Sequence, residues 1–140
     1  MRTKIVSALM VMTMVFSIAF GVAMPVMAGN TENRPFSFNN TSATGYSSWR
    51  DKNDTTKVYV FPTYGPKLQY TVQSKTSSGT VVNRSNTVAI PLNIQGSITN
   101  TVREKGGTVA RLKFKRLTYA QTYTGGKWSP DSTQNYTIFN

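Results

Sequence analysis

The sequence predicts an all-β protein: one small antiparallel β-sandwich or barrel of about six to eight short strands, following a cleaved export signal. Three observations carry that expectation. Apolar residues beyond position 36 recur with a period of two, as in Leu68, Tyr70 and Val72 set against Gln69, Thr71 and Gln73. Such alternation sends one set to a buried face and the other to water. No segment of the same region keeps apolar residues at helical spacing over three turns. Thr, Val and Tyr, whose branched or flat side chains suit a pleated surface, are abundant, and Pro or Gly punctuates the runs.

Taken in order, Arg2 and Lys4 give a basic start, Ile5 to Phe20 run without a charge, and Gly21 and Pro25 interrupt the apolar stretch before Ala28. That is the pattern of a secretory signal peptide over residues 1–28. An uncleaved anchor is the competing reading, since the uncharged stretch is long enough to span a bilayer. The helix breakers before Ala28 and the lack of a basic cluster after it favour cleavage. Residues 29–35 are polar and expected to be a disordered N-terminus. Residues 36–140 then form a single β domain. Lys57 to Phe61 is a β-branched and aromatic run closed by Pro62, and Thr87 to Ile90 is another closed by Pro91. Proline has no N–H to give a ladder, so both runs are expected to end at or near a sheet edge. Ser74 to Ser85, with Ser77-Ser78-Gly79 at its middle, reads as a loop or hairpin tip. Ser97 to Glu104 and Thr108 to Arg116, joined through Lys105-Gly106-Gly107, read as a hairpin, and Tyr136 to Phe139 as a closing strand.

The mature chain, Gly29 to Asn140, has no cysteine, so packing rather than disulfides must hold it. Loss of Arg2 and Lys4 takes the formal net charge from +11 to +9. A surplus of that size favours adsorption to anionic surfaces, whatever the fold. With neither histidine nor cysteine, the composition excludes Ser-His and Cys-His nucleophile pairs and His- or thiolate-ligated metals. Asp51 and Asp54 are close enough in sequence for a hydrolytic acid pair, but they lie in Asp51-Lys52-Asn53-Asp54, which reads as a solvated turn between strands. The same stretch lacks the glycine and distal glutamate of a calcium loop. No enzyme, metal or cofactor is therefore expected.

The most structured charge feature is Val109 to Arg116. Alternation sends Ala110, Leu112 and Phe114 inward and lines Arg111, Lys113 and Lys115 along the other face about 7 Å apart, with Arg116 at the end. Such a face can bind a polyanion, or it can guard a sheet edge against aggregation. Trp49 is expected at the core, while Tyr123 and Trp128 are candidate contact aromatics. The partners these residues suggest are an anionic cell-wall polymer or a secreted protein, with peripheral contact to a membrane surface. Export and the lack of a glycine-aromatic RNA-binding motif argue against nucleic acid. The Asn-x-Ser/Thr matches at Asn40, Asn53, Asn83 and Asn135 follow from the Asn- and Thr-rich composition.

Trp49-Arg50-Asp51-Lys52 leading to Thr56-Lys57-Val58-Tyr59-Val60, Ile98 to Glu104 with Gly106, and Gly126-Lys127-Trp128-Ser129-Pro130-Asp131-Ser132 together resemble segments of a group of small exported proteins of Gram-positive bacteria. Members are functionally uncharacterised, so the resemblance implies an extracellular setting and brings no catalytic residues. In being cysteine-free, exported and β-rich, the chain is also similar to the cationic bacteriocins of the lactococcin 972 type. The expectation is a secreted, non-enzymatic β domain associated with the anionic cell envelope or an extracellular partner. The alternative is a bacteriocin-like antibacterial protein.

Overall fold

Alternation builds both halves of the molecule, as described by a computed structural model for residues 28–140. The expected leader lies outside the described residues apart from Ala28. Eleven strands and no helix occur among the described residues. In chain order they are β1 (Arg34–Asn39), β2 (Thr44–Tyr46), β3 (Arg50–Asp51), β4 (Val58–Tyr64), β5 (Leu68–Lys75) and β6 (Val81–Asn83). There follow β7 (Val88–Ile90), β8 (Gly96–Ile98), β9 (Val109–Arg116), β10 (Tyr123–Ser129) and β11 (Thr137–Phe139). The all-β class is as predicted. The larger number of strands reflects pieces such as β2 and β3, which are three and two residues long.

The strands form two sheets in a sandwich-like arrangement rather than a closed barrel. The first has the order β1-β10-β4-β8-β11, antiparallel except for the parallel pair β8 and β11. In the second, β9 pairs along one side with β5 and along the other with β2 and β3, while β6 and β7 share the far side of β5. Phe36, Phe38, Val58, Val60, Ile98 and Trp128 of the first sheet pack against Leu68, Tyr70, Val72, Leu112 and Phe114 of the second. Phe36 stacks on Phe114 with ring centroids 5.1 Å apart.

Several local expectations change. Ser97–Glu104 and Thr108–Arg116 do not form a hairpin, because β8 belongs to the first sheet and β9 to the second. The buried Asn100 side chain accepts from the Val102 amide and donates toward the Ile98 and Thr56 carbonyls, and this side-chain turn sends the chain across the sandwich. Gly106, at φ 78°, completes the turn that the sequence marked. The run closed by Pro62 continues to Tyr64 in an interior strand. The Pro62 carbonyl accepts from the Asn93 amide, so the ring nitrogen, which points the same way, faces the side where pairing with β8 has already ended. Pro91 does follow an edge strand, β7. Ser77-Ser78-Gly79 forms the tip of the β5–β6 hairpin.

The 29–35 stretch also differs from its expected disorder. β1 begins at Arg34, and the Asn30 amide donates to Asp131 Oδ2 at 2.7 Å while its side chain meets Asp51 and Arg50. Polar residues hold this segment, which is why hydropathy alone does not reveal it.

Candidate basic and aromatic face

The outer face of the second sheet gathers the chain's most organised cations. β9 places Ala110, Leu112 and Phe114 in the core, fully or almost fully buried, and turns Arg111, Lys113 and Lys115 the other way. Their neighbours across β5 are Gln73, Thr71 and Gln69, and across β2 Lys113 and Lys115 face Tyr46 and Thr44. The strand is interior, since both of its sides are paired.

A bulge shapes the site. Tyr46 opposes Lys113 and Arg50 opposes Ala110, so the segment between them carries one residue more than β9 does. Ser47 holds the join: its amide donates to the Leu112 carbonyl, and its hydroxyl accepts from the Leu112 amide at 2.9 Å. The extra residue lets Tyr46 and Trp49, three positions apart, both flank Arg111. The Arg111 guanidinium carbon lies over the Tyr46 ring at 3.9 Å and over the Trp49 ring at 4.5 Å. Lys75 Nζ lies over the Trp49 ring at 4.6 Å. Arg111 Nε donates to Gln73 Oε1 at 3.0 Å, and Gln73 Nε2 donates to Asn83 Oδ1 at 2.9 Å. Among the described residues, no hydrogen bond or ion pair engages the ammonium groups of Lys75, Lys113 or Lys115. Asp51 is the acid on this face, at its far end opposite Val109.

Of the residues the sequence put forward, Arg111, Lys113 and Lys115 do come together. Arg116 does not join them. It opposes Leu68 and so leaves on the core side, where its guanidinium donates to the Asn40 and Thr41 carbonyls and lies 5.2 Å from the Tyr119 ring. Tyr123 is exposed but belongs to the first sheet. Trp128 is 1% exposed in the core, which corrects its expected role as a contact aromatic, and Trp49, expected at the core, is instead half-buried on the outer face. Polar neighbours misplace both tryptophans: Trp128 faces inward between Lys127 and Ser129 because β10 alternates, and the bulge turns Trp49 outward.

Around the end of this face lies a second polar structure. Lys52 and Asp131 form an ion pair with Nζ 2.8 Å from Oδ1 and both side chains fully enclosed. Lys52 Nζ also donates to the Thr56 and Pro130 carbonyls, so its three protons are all used. Asp131 Oδ2 accepts from the Asn30 and Asn53 amides at 2.7 and 2.8 Å. Burial pushes the Asp131 pKa up, but the Lys52 hydrogen bond, the two amides and the Lys52 charge outweigh it and hold the carboxyl below its ordinary value. Nearby, Arg50 donates to the Trp128 and Glu32 carbonyls and lies over the Trp128 ring at 5.3 Å. Asp51 and Asp54 do not form a pair of facing acids: Asp51 lies on the outer face, and Asp54 caps the Thr56 amide and hydroxyl. An open cleft of about 620 Å³ is lined by residues including Glu32, Arg34, Trp49 and Asp51, beside the hydrogen bonds that tie the N-terminal segment to β3.

The model of a protein family of unknown function, DUF2712, matches residues 24–132, and the chain belongs to that family. No curated protein matches it, and no solved structure does.

Proposed function

We propose that this is a non-enzymatic, secreted binding domain that attaches to an anionic polymer of the bacterial cell envelope through the outer face of its second sheet. The interior position of β9 carries the reading. A row of cations on an edge strand can be explained as protection against strand addition, but β9 has no free edge to protect. Placing Arg111, Lys113, Lys115 and Lys75 on one surface without paired acids costs mutual repulsion, which a polyanion relieves. The aromatic rings of Tyr46 and Trp49 add apolar contact area beside the charges.

Sedimentation of the mature protein with purified cell walls across a salt series tests this reading. Binding should weaken steadily as ionic strength rises. Lys113→Gln with Lys115→Gln should weaken it further at low salt, while Arg116→Gln, on the other side of the sheet, should have little effect on binding. Retention that ignores both salt and these substitutions would remove the electrostatic mechanism.

A further inference from the structure

Resting on that reading, we propose that Arg111 is a specificity-determining residue that holds one anionic group of a phosphodiester polymer, with the polymer running along β9 past Lys113 and Lys115. Two rings and one hydrogen bond already fix the guanidinium: Tyr46 and Trp49 lie against it, and Gln73 accepts from Nε. Among the described residues its terminal nitrogens donate to no partner. A planar guanidinium held in one orientation presents a ready fork to the paired oxygens of an oxyanion, and little side-chain freedom remains to be lost on binding.

The direction and the ligand class follow from what flanks it. Asp51 lies beyond Trp49 at one end of the face, so an anionic chain is repelled there and favoured toward Lys115. Arg111, Lys113 and Lys115 occupy alternate positions of one strand, giving a straight row at a spacing of about 7 Å. A phosphodiester polymer carries its charges in the backbone, in line and at regular intervals, and so matches a straight row of cations. Polymers with carboxylates on flexible side arms do not present their charges in this way.

The test is a titration of the whole mature protein with poly(glycerol phosphate), poly-glutamate of similar length, and vesicles containing anionic lipid, at one ionic strength. Trp49 fluorescence reports occupancy, because Trp128, the second of the two tryptophans, is enclosed in the core. The phosphodiester polymer should bind best. Arg111→Lys, which keeps the charge and loses the fork, should weaken that binding roughly tenfold or more. Gln73→Met, which leaves charge untouched but frees Nε, should weaken it less and in the same direction. Equal binding by Arg111→Lys and the unaltered protein overturns the role of the fork and leaves the cationic face standing. Equal or tighter binding of poly-glutamate or vesicles overturns the ligand class. Failure to bind any of the three removes the reading of the face itself.

Discussion

Lys52 Nζ lies 2.8 Å from Asp131 Oδ1, both side chains are wholly withdrawn from water, and the two residues are 79 positions apart in the chain. The pair joins the Trp49-Arg50-Asp51-Lys52 and Trp128-Ser129-Pro130-Asp131 segments, and through the Asn30 amide it also holds the N-terminal stretch.

Removing either partner leaves a buried charge without compensation. Lys52→Met and Asp131→Asn should each lose about 3–5 kcal/mol in urea unfolding, a large part of the 5–15 kcal/mol typical of a domain. The double variant Lys52→Met with Asp131→Leu should not regain the original stability. Buried pairs can often be exchanged for apolar groups, but here the Asn30 and Asn53 amides and the Thr56 and Pro130 carbonyls would lose their partners.

Acid should act through the same carboxylate. Its folded-state pKa is depressed, so its contribution is fully present above the unfolded value of about 3.9 and declines as pH falls from there through the folded value. Thermal midpoints measured between roughly pH 6 and pH 2 should fall mainly below about pH 4. Asp131→Asn, though less stable at neutral pH, should show a shallower acid decline. An unchanged slope would assign the acid response to other carboxylates.

Adjacent positions of β9 should respond in opposite ways. Leu112 is fully buried and Lys113 partly exposed on the outer face. Leu112→Asp should unfold the domain, since an unpaired charge in the core costs several kcal/mol. Lys113→Asp should change stability by about 0.5 kcal/mol or less. Circular dichroism melts of the two variants check this directly.

Two glycines make a second contrast. A Cβ on Gly126 would overlap the Phe61 carbonyl oxygen and lie 2.7 Å from Pro62 Cα, so Gly126→Ala must separate β10 from β4. A loss of roughly 1–3 kcal/mol or more is expected from such overpacking. At Gly79 nothing lies within 4 Å, and only its φ of 87° opposes a side chain, so Gly79→Ala should cost about 1 kcal/mol. Chemical denaturation of both variants gives the order.

What the sequence made legible was local. Leu68, Tyr70 and Val72, and Ala110, Leu112 and Phe114, alternate without interruption, and all six are in the core. Arg111, Lys113 and Lys115 follow from that same register. Lys52 was hidden because its surroundings, Asp51, Asn53 and Asp54, are those of a wet turn, and only a partner from the far end of the chain makes burial tolerable. The Tyr46 and Trp49 contacts were hidden because one inserted residue changes the face presented, and an insertion is defined only against the strand it pairs with. Whether Thr108–Arg116 pairs with its predecessor or with β5 is likewise a choice between distant partners, which periodicity does not address.

The order β1-β10-β4 has a kinetic meaning. β1 and β4 are both complete by residue 64, but the one ladder β1 joins is with β10, which begins at Tyr123. Until the chain has been made past that point, the first sheet lacks the strand that links β1 to β4, and β1 has no ladder to join. Strand pairing over such separations is slow, because a long loop must close before any contact rewards it. Every strand of the second sheet ends by Arg116, so the docking of β1 is among the last pairings open to a chain that grows from its N-terminus.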